Sequence, residues 1–455
     1  MTAALTEPRR IHLVGIGGAG MSGIARILLQ RGHLVSGSDL RDGRALAELR
    51  ALGATVHVGH GAEHLGDAEI VVTSTAVPPD NPEVVAARES DRQILRRAEM
   101  LAALMADERA ILIAGTHGKT TTTSMTVVAM QAAGRDPSFA IGGSLNESGT
   151  NAHAGTDGVF VAEADESDNS FLVYTPDLAV VTNLELDHPE QFADEAAVDE
   201  SFDAFLARRA PGAVAWLCLD DPGTARLAER HDRVRTYGSD PRSDVRLVTL
   251  DDGSHRLRHD GEELTGLSLA VPGRHNLLNA AAAIAVCLQL GIDPVVAARG
   301  LERFAGAARR YQRLGTVDGV EVVDDYAHHP TELRATLAAA RSDGPDRVVL
   351  VVQPHRYSRT EVFGAELGRA AAAADVVIVT EIYASSESPV PGVSGRVVAD
   401  AASAAGANVT FVPHLTDVVD ALVDTVRGGD LVLVTGAGDV TQVGPALLSR
   451  LEDGT

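Results

Sequence analysis

Gly115-Thr116-His117-Gly118-Lys119-Thr120-Thr121 stands between two segments of different character. Before it, Arg109-Ala-Ile-Leu-Ile-Ala114 is a short apolar, β-branched run that reads as a buried strand. After it, Thr120-Thr-Thr-Thr-Ser-Met-Thr-Val-Val-Ala-Met130 reads as a helix in spite of its threonines. Strand, glycine turn, Lys-Thr and helix in that order suit a nucleotide triphosphate. Backbone N–H groups of the turn and the helix N-terminus meet phosphate oxygens, Lys119 neutralises them, and the Thr120 hydroxyl ligates Mg²⁺. The spacing is a shortened G-x-x-G-K-T, since the longer G-x-x-x-x-G-K-[ST] needs glycine where Ile113 stands. A glycine-rich turn with a surface lysine is the plain alternative, and the flanking strand and helix argue against it.

Working outward, 455 residues leave room for about three domains at the usual ~100–200 residues each. Hydrophobic residues at 45% and charged residues at 22% describe an ordinary globular protein. Lys+Arg 39 against Asp+Glu 63 gives a net charge of −24, which disfavours general binding to nucleic acid or to an anionic membrane. No apolar run of 18 residues occurs, and the charged start is not followed by an apolar leader core. Cys218 and Cys287 each sit in apolar company, with no zinc spacing, and fit buried thiols in a reducing cytoplasm.

Toward the N-terminus, the strand Ile11–Val14 runs into Gly15-Ile-Gly17-Gly18-Ala-Gly20, followed by a helix over 21–30 and a strand over 34–39. This is a G-x-G-x-x-G fingerprint with Asp39 lying 19 residues past Gly20. The pattern demands a diphosphate at a helix N-terminus and a ribose-like hydroxyl near Asp39. An NAD-dependent dehydrogenase and a UDP-sugar-binding protein both satisfy it. Strands over 55–58 and 69–74 and a helix over 97–105 continue the alternation, so the first boundary falls at 107.

Toward the C-terminus, strands over 158–162 and 177–183 end in Glu163-Ala-Asp-Glu-Ser-Asp168 and Glu185-Leu-Asp187-His188. Carboxyl ends of parallel strands line the ligand crevice, and oxygen-rich groups there suit Mg²⁺, although a solvated acidic loop is the bland reading. Residues 245–271 read as antiparallel hairpins, and Pro272-Gly-Arg-His-Asn-Leu-Leu-Asn279 opens an Ala-rich helix. His275, Asn276 and Asn279 on its first turns can reach a base, or simply cap the helix. A linker over 304–310 precedes a third run of strands over 320–324, 347–352, 375–380, 408–412 and 430–435. Two clusters sit at strand ends there: Asp324-Asp325-Tyr326-Ala-His328-His329-Pro330 and Gln353-Pro-His355-Arg356-Tyr357-Ser-Arg359. The second is anion-binding by composition, since guanidinium forks match phosphate and carboxylate. The expected fold is α/β with three domains. They are a Rossmann-like domain over 1–107, a P-loop ATPase-like domain over 108–307 with a mostly parallel sheet and a small antiparallel part, and a second Rossmann-like domain over 308–455.

Together, Gly15–Gly23, Gly115–Thr121, Glu163-Ala-Asp-Glu-Ser167, His275-Asn-x-x-Asn279, Arg309-Arg310, Asp324–Glu332 and His355-Arg-Tyr-x-Arg359 resemble, in order, the motifs of the Mur ligases of bacterial cell-wall synthesis. The alanine-adding branch is nearest, and the likeness spans almost the whole chain. The shortened phosphate loop is what this family carries. The resemblance implies ATP-dependent joining of L-alanine to the carboxylate of UDP-N-acetylmuramate through an acyl phosphate, by a cytoplasmic monomer or weak homodimer. It implies that Gly17, Gly18, Ser38 and Asp39 hold the uridine diphosphate part and that Gly115, Thr116, His117, Gly118, Lys119, Thr120 and Thr121 hold ATP phosphates. Thr120, Glu163 and His188 would hold Mg²⁺, while His275, Asn276, Asn279, Arg310 and Asp325 (or Asp324) would contact the rest of ATP. Tyr326, His328, His355, Arg356 and Arg359 would face the muramoyl substrate and amino acid. Lys119, His188, Arg310 and His328 are the implied catalytic groups, with His328 as base. The carbamylated lysine common in the family has no counterpart over 163–170. A ligase recycling a murein tripeptide onto the same nucleotide sugar, a dehydrogenase and a nucleotide-gated binding protein are the rival readings.

Overall fold

The computed structural model describes residue 5 and residues 7–146, 149–385 and 387–454. The first sheet holds β1 (Arg10–Val14), β2 (Leu34–Asp39), β3 (Thr55–Val58), β4 (Ile70–Thr73) and β5 (Gln93–Arg96), in the order β3-β2-β1-β4-β5. All its pairings are parallel, which gives the Rossmann-like half expected of the glycine fingerprint.

A second sheet runs through β6 (Arg109–Ala114), β7 (Ser138–Ala140), β8 (Ala152–His153), β9 (Val159–Glu163), β10 (Leu178–Val181), β11 (Val214–Cys218), β12 (Val234–Gly238), β13 (Val245–Thr249), β14 (His255–His259) and β15 (Glu262–Leu267). Its order is β15-β14-β13-β12-β11-β10-β6-β9-β7-β8, with β6 flanked by β10 and β9 in parallel register. The expected hairpins are the antiparallel ladder β13-β14-β15 at one edge. The helix Lys119–Ala132 follows β6 directly. Its threonine run is tolerated in a buried helix because hydroxyls are satisfied by bonding back one turn: Thr123 Oγ1 donates to the Lys119 carbonyl at 2.9 Å and Thr126 Oγ1 to the Thr122 carbonyl at 2.8 Å.

The third sheet comprises β16 (Gln312–Val317), β17 (Val320–Asp325), β18 (Arg347–Val352), β19 (Val376–Val379), β20 (Val409–Phe411) and β21 (Asp430–Thr435), ordered β16-β17-β21-β18-β19-β20. Alternation sends its side chains to two cores. Val323, Leu350, Val352, Val377, Val379, Leu431 and Leu433 fill one face, and Val322, Val349, Val351, Ile378, Val432 and Val434 the other. The antiparallel strand β16 was not expected, since Gln312-Arg-Leu-Gly-Thr-Val317 is polar, half-exposed and broken by glycine. Strands β5, β7, β8, β11 and β12 also lie outside the expected set.

The chain divides into two compact units. One comprises 1–184, 199–268 and 279–302, and the other 185–198, 269–278 and 303–455. Among the described residues, no helix is long and apolar enough to cross a membrane. Cys218 and Cys287 are buried and unbridged, as expected.

Candidate active site

In the first unit the phosphate loop is shaped by close approach of backbone. Gly115 has φ +126°, and a Cβ there would lie 2.0 Å from Thr182 Oγ1. The loop is tied to the end of β10. Asn183 Oδ1 accepts from the His117 N–H at 2.8 Å, and the Thr182 hydroxyl donates to the His117 carbonyl at 2.6 Å. Gly118 has φ +80°, and a Cβ would meet Asn279 Oδ1 at 2.9 Å. That same oxygen accepts from Thr122 Oγ1 at 3.1 Å. Lys119 Nζ donates to the Gly115 and Thr116 carbonyls at 2.7 and 3.1 Å, and pairs with the buried Glu166 at 2.8 Å. Burial opposes the lysine's charge, but Glu166, with Asp165 and Glu163 behind it, outweighs burial and raises its pKa.

Beside the lysine, Thr120 Oγ1 donates to Glu163 Oε2 at 3.2 Å, while Glu163 Oε1 accepts from the Gly142 N–H at 2.7 Å. A hydroxyl and a carboxylate oriented by backbone form a hard-oxygen donor pair of the kind Mg²⁺ takes alongside phosphate and water, so the residues fit that ion.

A crevice of about 550 Å³ opens over the glycine turn after β1, lined by Gly15, Gly18, Asp39, His60, Asn81 and Arg97 among others. The N–H groups of Gly15 and Ile16 donate to the Ser38 carbonyl at 2.8 and 2.9 Å, fixing the turn to β2. Asp39 Oδ2 accepts from the Gly17 N–H at 2.9 Å, so this acid braces the loop. A Cβ on Gly17 would come within 2.5 Å of Leu46.

The second unit gathers a cationic and imidazole cluster. Arg359, 6% exposed, donates from Nη2 to Asp187 Oδ2 at 2.8 Å, with Nε 2.8 Å from Oδ1. Its Nη2 also lies 3.0 Å from His188 Nε2, and its Nη1 lies 3.3 Å from His355 Nδ1. Guanidinium only donates, so both imidazole nitrogens accept. Burial would raise the Asp187 pKa, but Arg359 outweighs it and holds the acid well below the usual carboxylate range. Arg356 caps the helix Tyr357–Ala371 at φ 65° and ψ 145°, a strained conformation for a residue with a side chain, and pairs with Glu190. Two guanidiniums flank Tyr326, Arg309 at 5.1 Å and Arg310 at 4.8 Å from its ring centre. Asp325 accepts from the backbone N–H groups of Tyr311 (2.6 Å) and Ala327 (2.8 Å), and burial pushes its pKa up to about 6. Asp324 accepts from Arg309 Nε at 3.1 Å and from the Thr441 hydroxyl at 2.9 Å. Both acids therefore serve the local fold.

Three family models match in order: "Mur ligase family, catalytic domain" over 10–109, "Mur ligase middle domain" over 113–287 and "Mur ligase, glutamate ligase domain" over 309–438. A UDP-N-acetylmuramate–L-alanine ligase of Acidothermus cellulolyticus is 52% identical, the match covering 97% of this chain and 95% of that protein. The chain belongs to the Mur ligase family. Among solved structures it is similar to a UDP-N-acetylmuramate-alanine ligase from Thermotoga maritima. That match has a TM-score of 0.82 and 29% identity, covering 98% of this chain and 100% of that one. It shares its fold with a murein peptide ligase from Psychrobacter arcticus, with a TM-score of 0.73 and 23% identity over 97% and 98% of the two chains.

Mur ligase membership removes the dehydrogenase reading, for which the G-x-G-x-x-G turn was a lookalike. Some residues expected on a Mur ligase nucleotide are engaged locally. Asn276 Nδ2 donates to the Pro272 carbonyl at 2.6 Å and so closes the turn before its helix. His188 lies in the second unit, where Nε2 accepts from Arg359 and Nδ1 faces Glu190 at 3.3 Å. Ligating a cation through Nε2 requires that bond to open. Sequence reasoning did not single out Glu166, Thr182, Asn183 or Asp187, although the strand-end acidic runs and the Thr-Asn pair after β10 were visible signals.

The imidazoles of this Mur ligase also set an acid limit. Burial, reinforced by Arg359, lowers His328 to about 4, and burial with His328 and Arg359 lowers His355 to about 3. Unfolded histidine titrates near 6.5, so below that pH the unfolded chain takes up protons that the folded one refuses. Stability should be at its full value above pH 6.5. It should fall by roughly 3 kcal/mol per pH unit for the two groups as pH drops toward 4. Calorimetric midpoints from pH 8 to 5 check this, and H328Q and H355Q should each flatten the slope.

Proposed function

We propose that this chain joins L-alanine to the carboxylate of UDP-N-acetylmuramate at the expense of ATP, releasing ADP and phosphate. The observation that carries the reading is full-length identity near one half with alanine-adding relatives. In this reading the boundaries fall at 107 and 307. The crevice over Gly17 and Gly18, with Asp39, holds the UDP part, and Ser38, expected on that ligand, stands fully buried behind it and supports the site. Gly115 to Thr121 cradles the ATP phosphates. Thr120 and Glu163, with His188, hold Mg²⁺, which when bound supplies positive charge to the phosphate oxygens. His275, Asn276, Asn279 and Arg310 face the rest of ATP, with Asp325 holding the Arg310–Tyr326 loops in place.

A carboxylate is a poor acylating agent. One of its oxygens attacks the γ-phosphorus, the bond to ADP breaks, and an acyl phosphate results. The neutral amine of L-alanine attacks the acyl carbon, and the tetrahedral intermediate expels phosphate and leaves the amide. No protein nucleophile is needed. Lys119 and Arg310 stabilise charge on the transferring phosphoryl group, and Tyr326, His355, Arg356 and Arg359 orient the acceptor and the amino acid.

His328 takes the amine proton in this scheme. Its Nδ1 faces the Tyr326 carbonyl at 2.9 Å and so carries hydrogen, leaving Nε2 as the basic atom of the neutral ring. H328A should lower kcat at saturating L-alanine by about 10²-fold. Unchanged turnover removes His328 from the proton path.

The direct test is phosphate release from ATP and Mg²⁺ with UDP-N-acetylmuramate, comparing L-alanine, glycine, L-serine and the murein tripeptide. Release requiring both the nucleotide sugar and L-alanine, with a product of the matching mass, is expected. Release with tripeptide alone would move the protein to the recycling branch.

A further inference from the structure

Behind the crevice lies a carboxylate that the proposed chemistry does not use. Glu83, second residue of the helix Pro82–Glu89, is 0% exposed. Burial would raise its pKa, but hydrogen bonds from His12, Ser38 and the Gly61 N–H outweigh it and bring it to about 2. Its Oε1 accepts from the Gly61 N–H at 3.2 Å and faces His64 Nδ1 at 3.0 Å. Its Oε2 accepts from Ser38 Oγ at 2.5 Å and faces His12 Nε2 at 3.4 Å. With both oxygens engaged from several sides, the carboxylate has one orientation.

An ionised carboxylate only accepts, so the single Ser38 hydroxyl hydrogen is committed to Glu83. Toward its third partner, His60 Nδ1 at 2.9 Å, the Ser38 oxygen can then only accept. A second polar atom near that nitrogen, Glu83 Oε2 at 3.5 Å, is also an acceptor. Nδ1 therefore carries the hydrogen, and in the neutral ring Nε2, on the far side from Ser38, bears a lone pair. His60 lines the crevice.

We propose that His60 is a specificity-determining residue: Glu83, acting through Ser38, fixes it as the Nδ1–H tautomer, and Nε2 accepts a hydrogen bond from the uridine of the substrate. The donor is the imide N–H of the base or the ribose 2′-hydroxyl. This rests on the reading of the crevice as the UDP seat. Glu83 and Ser38 are positioning residues, and the device rejects ligands that present an acceptor or a methyl group there.

The test is calorimetric binding of UDP, N3-methyl-UDP and 2′-deoxy-UDP to the full-length protein. Wild type should bind one of the two analogues about 10- to 100-fold more weakly than UDP, since the lost bond leaves a buried acceptor unpaired. Weakening with N3-methyl-UDP assigns the imide, and weakening with 2′-deoxy-UDP a ribose hydroxyl. In E83Q the amide can donate to Ser38, whose hydrogen then turns to His60 Nδ1 and converts Nε2 into a donor. The discrimination should fall to about 1, as in H60A, while affinity for ATP stays unchanged. Nitrogen NMR of histidine-labelled wild type reads the tautomer without any variant. An Nε2–H ring, or equal affinity for all three ligands, overturns the proposal and leaves the UDP reading intact. Failure of UDP itself to bind overturns both.

Discussion

Replacing Lys119 with alanine is expected to lower ATP-dependent ligation by at least about 10³-fold while leaving UDP binding in the N-terminal crevice intact. Nζ is the one cation held by the loop itself, 2.7 and 3.1 Å from the Gly115 and Thr116 carbonyls. The raised pKa keeps it charged throughout the working range. In the proposed reading, charge on the transferring phosphoryl then loses a fixed cationic partner. The substitution also strands Glu166, 2% exposed, so some loss of thermal stability accompanies it. The double variant K119M/E166Q separates the effects. It should recover stability because no buried charge is left alone, yet remain inactive. Activity in a stably folded K119A would remove the lysine from the phosphate site. E166Q alone should keep the lysine's charge and show far smaller losses, which distinguishes a partner that parks Lys119 from one the chemistry needs.

Why the phosphate loop was legible and its surroundings were not follows from sequence distance. Gly115, Gly118 and Lys119 lie within five residues, next to a strand and a helix whose periods are plain. The contacts that shape them come from Glu166, Thr182, Asn183 and Asn279, 47 to 161 residues along the chain from Lys119 or Gly118. The runs that hold them were visible, but no local pattern reports which of these side chains meets the loop. Buried parallel strands such as Arg347–Val352 announced themselves as continuous β-branched runs, whereas the edge strands β5 and β16 did not. Gln312–Val317 is half-exposed and Gln93–Arg96 is a mere four residues, so neither carries the alternation that identifies a strand. Asp39 shows the opposite failure. Its spacing was read as part of the glycine fingerprint, but spacing cannot say that its carboxylate braces the Gly17 N–H. Glu83 and His60 carried no motif at all. Their meaning lies in which hydrogen each partner has left to give.

Removing the partner of Arg359 should be strongly destabilising for the second unit. In D187A the guanidinium keeps its burial and loses both short contacts to carboxylate oxygens, at 2.8 Å each. Leaving one member of such a pair alone costs about 3–5 kcal/mol, which lowers the unfolding midpoint of a unit this size by about 10 °C. Differential scanning calorimetry reads this directly. Activity should fall as well, because Arg359 also donates to His188 and approaches His355, and a guanidinium seeking a new counter-charge pulls both imidazoles with it. D187N keeps the shape and an acceptor but not the charge, so its stability should fall between D187A and wild type. The sign with pH follows from the depressed acid. Its stabilisation is complete above the ordinary carboxylate range near 4 and is lost as pH falls below it, so D187A and wild type should converge in strong acid. The double variant D187L/R359M removes both charges and should regain most of the lost stability without regaining ligation. Recovery of stability in that variant shows that the ion pair is kept for the position it gives Arg359 and not for the stability of the fold. If D187L/R359M remained as unstable as D187A, the cost would lie in packing around Asp187, and the charge argument for this site would fail.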